Sequence, residues 1–561
     1  MHTVLPDNEI ARAISLKPIT EVAAELGVPE DALIPYGRFK AKIDLDVATS
    51  LPSRPDSKLI LVTAMTPLEK GEGKTTVAIG VGDGLKRIGK KAVVCLREPS
   101  LGPCFGLKGG ATGAGHAQVA PRDDINLHFT GDCHAVASAN NLLAALVDNH
   151  LFRRASPALD SRRITWRRTL DMNDRALREV VVGLGGAANG YAREEGFDIT
   201  PGSEVMAVLC LAQDRADLEQ RLARIVIGYT PDRQPIRASD LAAQGAMSAL
   251  LRDALAPNLV QSLEHNPVLV HGGPFANIAH GCNSVLATKT ALALGDYVLT
   301  EAGFGADLGA EKFFDIKCRQ SGLVPSAAII VATVESLKAH GGVAASAGQQ
   351  EDVAAVKRGL PNLLHHMSII HTYGLSSVVA INRYEHDSEA ELAAIKDAVA
   401  DNGAVAIVSE HWRDGGKGAE NLAVEVARLA DAAPGSDSFQ LLYPDDMSLI
   451  EKTATIATRI YGAASIAMDD GVRRQYQKLQ AEGFGHLPIC LAKTPRSLST
   501  DPREKGVPRD FTLTIRELRL AAGAGFVVAL AGDVLMMPGM PAEPSARHIF
   551  VNARGEIEGL R

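Results

Sequence analysis

Short runs of apolar, β-branched residues alternate with helical stretches between about residues 58 and 360. Apolar runs of four to eight residues, bounded by polar or glycine-rich segments, are typical of buried strands. Strands and helices that alternate in this way form a parallel sheet with helices on both faces. The predicted strands of this part are 59–63, 92–96, 205–209, 297–300 and 328–332.

The pattern continues beyond residue 360 in two further blocks. Residues 376–382 and 404–408 begin another strand–helix–strand series, and the last block has predicted strands at 487–492, 511–515 and 525–530. We therefore predict an α/β fold with a large P-loop-containing domain, built on a parallel or mixed sheet, and two smaller α/β domains. The predicted boundaries are 1–360, 361–460 and 461–561.

The segment before the first strand, residues 1–55, is expected to be a helical lead-in. Ile19, Val22, Ala23 and Leu26 fall on one face of a helix, and Gly27 follows the last of them. Glycine directly after an apolar helical stripe is a common stop signal. This stripe therefore predicts a helix that packs against the sheet.

The most informative segment follows the strand at 59–63. A turn with Gly71 and Gly73 leads to Lys74, which opens a predicted helix. Backbone N–H groups of such a turn, with the field of the helix N-terminus, bind phosphate oxygens. A strict P-loop has glycine where Leu68 stands, so the loop is a variant, and the alternative is a glycine-rich turn with a solvated lysine. The residues assigned to ATP binding are Leu68, Glu69, Lys70, Gly71, Glu72, Gly73, Lys74, Thr75 and Thr76.

Composition excludes several classes of partner. The chain has 561 residues and a formal charge of -8, without a basic stripe, so we expect no nucleic-acid partner. The N-terminus lacks the pattern of a signal peptide, and the apolar stretch 521–532 is too short to span a membrane. Seven scattered cysteines without C-x-x-C pairs indicate reduced thiols and a cytoplasmic protein.

Charged residues follow the predicted strands. Arg97 and Glu98 come directly after the strand at 92–96, where ligands of open α/β sheets bind. An arginine fork suits carboxylate or phosphate oxygens, and the alternative is a structural Arg–Glu ion pair. Asp132 lies in a polar segment and is a candidate to hold a metal-bound water or a substrate amine.

Two acids follow the strand at 297–300. Glu301 and Asp307 are candidates for Mg²⁺ or another cation, as carboxylates near phosphates often are. Thr75, in the predicted loop, offers a hydroxyl of the kind that lies beside Mg²⁺ in phosphate loops. For Asp307 the alternative of a solvated acid is equally open.

From about residue 55 to the C-terminus, the chain resembles the formate–tetrahydrofolate ligases, also called 10-formyltetrahydrofolate synthetases. The matching strings include Gly71-Glu-Gly-Lys-Thr-Thr76, Arg97-Glu-Pro-Ser-Leu-Gly-Pro103, the segments 124–132, 271–280 and 300–315, Leu491-Ala-Lys-Thr494 and Gly523-Ala-Gly-Phe526. Strings of this length are specific to one family.

The resemblance implies that ATP, formate and tetrahydrofolate give ADP, phosphate and 10-formyltetrahydrofolate through formyl phosphate. It implies Mg²⁺ with ATP, a monovalent cation such as K⁺ or NH₄⁺ as activator, and a homotetramer. The catalytic residues that it implies are Lys74, Arg97, Glu98 and Asp132. Lys74 would hold the γ-phosphoryl group, and Arg97 would bind formate and then formyl phosphate.

The resemblance also places aromatic residues around the flat pterin of the folate. Tyr384 and Trp412 follow predicted strands and would sandwich the pterin, with Phe304 assigned to the same site. Stacking of this kind contributes on the order of 1 kcal/mol beyond burial. The alternative for these rings is a place in the hydrophobic core.

The sequence departs from the usual family strings at two places. Leu68-Glu69-Lys70 stands where the family usually reads Thr-Pro-Ala, and Pro495-Arg496 stands where it tends to read Gln-Tyr. The first departure brings two charges into the approach to the phosphate loop. A rival interpretation is a switch ATPase of the deviant P-loop type, which would use residues 58–100 but none of the downstream strings.

Overall fold

The computed structural model describes residues 5–107, 110–344, 348–433, 435, 438–532 and 534–560. Within these ranges the chain forms one large sheet, a smaller C-terminal sheet and several two-stranded ribbons, with helices packed on the sheet faces.

The strands are numbered along the chain. They are β1 Leu33–Pro35, β2 Ala41–Ile43, β3 Lys58–Ala64, β4 Ala92–Leu96, β5 Gly113–Ala114, β6 Ala117–Ala120, β7 Arg168–Leu170, β8 Val180–Val182, β9 Arg193–Glu195, β10 Phe197–Ile199, β11 Val226–Tyr229, β12 Pro235–Arg237, β13 Asn258–Ser262, β14 Pro267–Val270, β15 Tyr297–Glu301, β16 Ala327–Ala332, β17 Ser377–Asn382, β18 Val405–Ser409, β19 Ser465–Ala467, β20 Ile489–Ala492, β21 Thr512–Ala521, β22 Phe526–Ala531, β23 Phe550–Val551 and β24 Ile557–Glu558.

The α-helices are numbered in the same way. They are α1 Asp7–Ala13, α2 Ile19–Leu26, α3 Leu45–Ser50, α4 Lys74–Arg87, α5 Leu101–Phe105, α6 Arg122–Asn126, α7 Asp132–Phe152, α8 Glu204–Leu211, α9 Arg215–Arg224, α10 Gln244–Leu251, α11 Val285–Leu294, α12 Arg319–Ser321, α13 Val334–His340, α14 Val353–Thr372, α15 Glu389–Asp401, α16 His411–Asp414, α17 Glu420–Asp431, α18 Leu449–Arg459 and α19 Asp470–Leu479. Two π-helical segments, Ala306–Ala310 and Phe313–Cys318, follow β15.

The large sheet is mixed. Its strand order is β1-β2-β13-β14-β4-β15-β3-β16-β17-β18, with β6 added beside β13 and β5 beside β6. The strands from β14 to β18 in this order run parallel, whereas β1, β2 and β13 pair antiparallel. Because β4, β15, β3 and β16 are neighbours and parallel, their carboxyl ends meet at one edge of the sheet.

The apolar runs that predicted these strands are buried in the centre of the sheet. Ile60, Val62 and Ala64 of β3 have no exposed surface, and neither have Val93 and Val94 of β4. Burying a valine or isoleucine side chain contributes about 1.5–3 kcal/mol. A sheet covered on both faces explains why these strands read as continuous apolar runs rather than as alternating ones.

One predicted strand is wrong. Residues 205–209 lie in α8, which begins after Ser203, whose hydroxyl accepts a hydrogen bond from the Met206 N–H. The side chains of this helix from Val205 to Leu211 are all buried, so the sequence shows no polar face. A short apolar run buried on every side has no periodicity that separates helix from strand.

The remaining predicted strands are confirmed, with ends shifted by a few residues. The lead-in 1–55 contains the predicted helix as α2, whose apolar stripe is buried, but it also supplies β1 and β2 to the large sheet. Strands β17 and β18, predicted for a second domain, continue the same sheet beyond β16. The domain boundaries at 360 and 460 stay predictions.

The C-terminal strands form a separate four-stranded sheet in the order β19-β21-β22-β20. Lys493 directly follows β20 and is buried against Asp307, which belongs to the segment after β15. Within the described ranges, no helix is long and apolar enough to cross a membrane. The seven cysteines are free thiols, six of them buried.

Candidate active site

The segment between β3 and α4 forms the predicted loop. Gly71 and Gly73 have φ of 83° and 78°, in the left-handed region that favours glycine. A Cβ on Gly73 would lie 2.5 Å from Nδ2 of Asn382, so a larger residue would also clash there. Lys74 is the first residue of α4, so the N–H groups of its first turn face the loop.

The buried side chain of Glu72 holds the loop in place by hydrogen bonds. Its carboxylate accepts hydrogen bonds from the Leu68 N–H (3.0 Å) and from the hydroxyls of Thr333 (2.8 Å) and Ser336 (2.5 Å). Burial raises the pKa of the Glu72 carboxyl, while these hydrogen bonds oppose the shift. Nδ2 of Asn382, the last residue of β17, donates to the Glu72 carbonyl oxygen (3.0 Å). Glu72 therefore also connects the loop to β17.

Thr66, at the other end of the loop, is held by two helices. The Asn362 side chain accepts from the Thr66 N–H (3.2 Å) and donates to its hydroxyl (3.0 Å). Nε2 of His366 lies 2.9 Å from that hydroxyl, and Nε2 of His340 lies 2.9 Å from the Thr66 carbonyl oxygen. Burial lowers the pKa of His366 to about 3 and that of His340 to about 4, so both rings are neutral at pH 7.

The two residues predicted to bind Mg²⁺ lie together. The Thr75 hydroxyl donates to Oε2 of Glu301 at 2.7 Å. Glu301 is the last residue of β15, which pairs with β3 on one side and β4 on the other, and its side chain is 3% exposed. Lys74 precedes Thr75, and its charge opposes the raised pKa of Glu72.

Arg97 reaches the same carboxylate from the other neighbouring strand. Its Nε lies 3.6 Å from Oε1 of Glu301, and its Nη1 donates weakly to the Pro274 carbonyl oxygen (3.4 Å). The guanidinium is half-buried, and its buried Nε has no hydrogen-bond partner among the described residues. The predicted alternative for Arg97, an Arg–Glu ion pair, finds its acid in Glu301, and the role of Arg97 as a ligand for substrate stays a prediction.

Glu98 and Asp132 form a buried cluster with Lys42. The Lys42 ammonium lies 2.9 Å and 3.0 Å from the two oxygens of Asp132, and Nδ2 of Asn258 donates to Oδ2 at 2.8 Å. Lys42 is 1% and Asp132 2% exposed. Burial, and then the charge of Asp132, raise the pKa of Glu98, whose Oε2 has no hydrogen-bond partner among the described residues.

The predicted folate-binding aromatics follow three strand ends. Phe304 is half-buried after β15, with φ of 61°. Tyr384 follows β17 and stacks on the His386 ring, with centroids 5.7 Å apart. Trp412 follows β18, and its carbonyl oxygen accepts from the His116 N–H (2.8 Å). Among the described residues the structure records no ring contact between Tyr384 and Trp412.

Asp307 is not a solvated acid. It is buried, and its Oδ2 lies 3.0 Å from the Lys493 ammonium. Burial alone would raise the pKa of Asp307, but Lys493 and other neighbouring charges bring it below its usual value. The prediction of a solvated acid at this position is therefore wrong.

Several residues of the site had no assigned role in the sequence analysis. Lys42, Asn362 and His366 contact it from 90 to 300 positions away in the chain. The one local signal is Lys42, a charged residue inside the apolar run of β2, which in a buried strand implies a charged partner.

A turn with two left-handed glycines at a helix N-terminus, a hydroxyl with a carboxylate beside it and an arginine one strand away are typical of α/β enzymes that bind nucleotides. Comparison with known sequences is more specific. The sequence model described as formate–tetrahydrofolate ligase matches residues 5–561. The chain therefore belongs to the formate–tetrahydrofolate ligase family.

Curated relatives that match this chain over nearly its whole length are named formate–tetrahydrofolate ligase. The formate–tetrahydrofolate ligase of Granulibacter bethesdensis is 58% identical over 555 residues, which cover 99% of this chain and 97% of the relative. That of Rhizobium johnstonii is 58% identical over 560 residues and all of both chains. That of Cereibacter sphaeroides is 57% identical over 557 residues, 99% of this chain and all of the relative.

The buried Lys42–Asp132 pair generates a prediction on stability. Lys42→Met should lower the free energy of unfolding at pH 7 by about 3–5 kcal/mol, because it leaves the Asp132 carboxylate buried without its ammonium partner. Denaturant unfolding at pH 7 measures this.

The control is Lys42→Met combined with Asp132→Asn, which removes both charges and should recover part of the lost stability. An unfolding free energy of Lys42→Met equal to that of the parent at pH 7 would contradict the buried ion pair.

Proposed function

We propose that this chain catalyses the reaction of the ligase family with the residues at the carboxyl edge of its large sheet. The reaction joins formate to tetrahydrofolate with ATP and gives 10-formyltetrahydrofolate, ADP and phosphate in one-carbon metabolism. The observation that carries the assignment is the shared carboxylate of Glu301, which contacts Thr75 of the loop and Arg97 of the next strand. It supports a single site in which a phosphoryl donor and a small anion lie side by side.

Formate must be activated before an amine can attack it, since its oxygen is a poor leaving group. Transfer of the γ-phosphoryl group needs positioning and neutralisation of charge rather than covalent help from the protein. Lys74 and the N–H groups at the start of α4 would hold the phosphates, because they lie where the glycine turn opens toward the helix. Glu72 keeps this turn closed from behind.

The residues fit a magnesium ion bound with ATP. Mg²⁺ in such sites takes oxygen ligands, commonly one or two from the protein and the rest from phosphates and water. The Thr75 hydroxyl and the Glu301 carboxylate supply such oxygens, and among the described residues no cluster of three or more acids, histidines or cysteines forms a complete protein cage. Bound there, the ion would neutralise phosphate charge.

Arg97 is proposed to bind the anionic substrate that carries the reacting carbon. Its guanidinium, with one buried N–H unpaired, can bind the carboxylate of formate and then the formyl phosphate that forms from it. The contact with Glu301, 3.6 Å from Nε to Oε1, is longer than a hydrogen bond, so it does not use up the guanidinium as a bidentate pair would. N–H groups of the guanidinium therefore remain for the substrate.

Glu98 and Asp132 are proposed for the second step, in which the folate nitrogen attacks the formyl carbon and expels phosphate. The nitrogen must lose a proton in this step. Asp132 is paired with the Lys42 ammonium, while burial raises the pKa of Glu98. A carboxyl group with a raised pKa, next to the reacting nitrogen, is suited to general acid–base work in this step.

Tyr384, Trp412 and Phe304 are proposed to line the pterin site. Tyr384 and Trp412 follow neighbouring strands whose last residues, Asn382 and Ser409, are paired in register. Both side chains are half-buried, which leaves part of each ring for a ligand. We also propose, from the family resemblance, activation by K⁺ or NH₄⁺, a homotetramer and a cytoplasmic location.

The first prediction separates the ligase from the switch ATPase. Product should form only when ATP, formate and tetrahydrofolate are all present, because phosphoryl transfer has no acceptor without formate. Acidifying the mixture converts 10-formyltetrahydrofolate to the strongly absorbing methenyl form, which measures product. Steady ATP hydrolysis in the absence of both formate and folate would support the ATPase instead.

The second prediction concerns Arg97. Arg97→Ala should nearly abolish turnover, because loss of a charged contact in a buried site typically costs several kcal/mol. ATP binding, measured by calorimetry, should be largely retained. Arg97→Lys is the matched control that keeps the charge beside Glu301 but not the fork, and it should restore only a small part of the activity. Near-normal turnover of folded Arg97→Ala would reject the role.

The third prediction tests the folate site apart from the nucleotide site. Trp412→Ala should raise the KM for tetrahydrofolate about tenfold, equal to about 1.4 kcal/mol for a lost stacking face, and leave the KM for ATP nearly unchanged. Trp412→Phe, which keeps a stacking face, should have a smaller effect. A lowered melting temperature with every kinetic parameter depressed would instead place Trp412 in the core.

The chain offers a direct optical version of this test. It has two tryptophans, and the second, Trp166, is buried with its indole N–H donated to the Asn140 carbonyl oxygen (3.1 Å). Trp166→Phe leaves Trp412 as the single tryptophan, whose fluorescence tetrahydrofolate should quench if the pterin stacks on it. Unchanged fluorescence at saturating folate would contradict stacking.

A further inference from the structure

The two ends of the loop between β3 and α4 are fixed by buried hydrogen bonds, but its tip is not. Thr66 is held by α13 and α14, and Glu72 by residues at the start of α13. Between them, Glu69 and Lys70 are exposed. The tip itself is a turn closed by the Gly71 N–H, which donates to the Leu68 carbonyl oxygen (3.0 Å). Contacts of its exposed side chains can therefore set where this turn lies relative to the rest of the site.

Both charges of the tip have partners outside the loop. Oε1 of Glu69 lies 2.7 Å from Nη2 of Arg496, in the C-terminal block. The Lys70 ammonium pairs with Glu335 at the start of α13 and lies 5.1 Å from the centre of the Tyr384 ring. The segments 68–70 and 495–496 thus contact each other.

Arg496 projects from a turn that is itself rigidly held. The ammonium of Lys493 donates to the carbonyl oxygens of Thr494 (3.1 Å) and Ser497 (2.5 Å), and the Lys493 side chain is fully buried. The same ammonium lies 3.0 Å from Oδ2 of Asp307. Because the turn 493–497 is folded around a buried charge, Arg496 starts from a fixed backbone and can hold a partner in place.

These contacts connect the nucleotide loop and Glu301 in a closed series. It runs from Glu301 along the chain to Asp307, across to Lys493, along the turn to Arg496, and across to Glu69 of the loop. The loop then returns to Glu301 through Thr75. A change at Arg496 is therefore connected to the nucleotide loop directly and to the Glu301 carboxylate indirectly.

We propose that Arg496 is a positioning residue for the nucleotide, which acts through Glu69 by holding the tip of the loop in its phosphate-binding conformation. The proposal rests on the assignment of residues 68–76 to ATP binding. Arg496 does not touch the reacting atoms, so its loss should weaken binding of ATP while the chemical step continues. An exposed ion pair contributes little to global stability, but it can select one conformation of a short exposed segment.

A double-mutant cycle on the KM for ATP tests the pair. Arg496→Ala and Glu69→Ala should each raise that KM about twofold to fivefold, the effect expected of an exposed ion pair, and the double variant should be no worse than either. The charge-reversed pair, Glu69→Arg with Arg496→Glu, should restore most of the loss. For Arg496→Ala, the kcat and the KM for formate should stay within about twofold of the parent, because Arg496 lies outside the loop assigned to ATP binding.

The matched control is Arg503→Ala. Arg503 lies in the same block and pairs with Asp501 at 2.6 Å on the surface, without contacting the loop. Its loss should leave the KM for ATP unchanged. A second readout needs no nucleotide: amide hydrogen exchange of residues 68–71 should be faster in Arg496→Ala than in the parent and in Arg503→Ala.

Two results would overturn the proposal: additive effects of Glu69→Ala and Arg496→Ala, or a charge-reversed pair no better than the single variants. Lys74→Ala distinguishes this failure from failure of the proposed function. If Lys74→Ala loses ATP binding while the cycle is additive, only the positioning role of Arg496 is rejected. If Lys74→Ala binds ATP as the parent does, the loop is not the nucleotide site and both proposals fail.

Discussion

The position of Glu301 at the end of β15 is the constraint on which the site depends. In the sheet, β15 lies between β4 and β3, so its last side chain has one neighbour from each of them. The loop after β3 leads to Thr75, whose hydroxyl contacts one oxygen of the Glu301 carboxylate. Arg97, the residue directly after β4, approaches the other oxygen. Strand order alone therefore sets an arginine, a hydroxyl and a carboxylate side by side, although the three are widely separated in the chain.

A second constraint is the burial of charge behind this edge. Lys42 with Asp132, and Lys493 with Asp307, are pairs in which both side chains are almost fully buried. Burying such a pair gives little net stability, because the cost of desolvation offsets most of the attraction. Its value lies in geometry, since either partner left alone would be strongly unfavourable. Each pair thus fixes two segments relative to each other: β2 with α7, and the segment after β15 with the turn after β20.

The features that could be predicted are those whose signal lies in residues close together in the sequence. The strands β3, β4, β15 and β16 could be predicted because strands buried on both faces read as apolar runs. The glycine turn could be predicted because its two left-handed residues, Gly71 and Gly73, lie close together in the sequence. The helix α8 was mistaken for a strand because a fully buried helix loses the same periodicity. The supports of the loop at Asn362 and His366 could not be found, since nothing near residue 66 specifies which distant polar side chain will satisfy its backbone.

The C-terminal block contacts the tip of the loop through the pair between Glu69 and Arg496. A charged residue at position 69, on an exposed loop tip, would be free to take several conformations unless a partner of opposite charge stood within reach. Position 496 supplies that partner from a turn anchored by Lys493 and Asp307. A single substitution at either position would leave one charge unpaired next to a loop proposed to receive a polyanion. The contact between Glu69 and Arg496 is a physical reason to include the C-terminal block in the proposed nucleotide site.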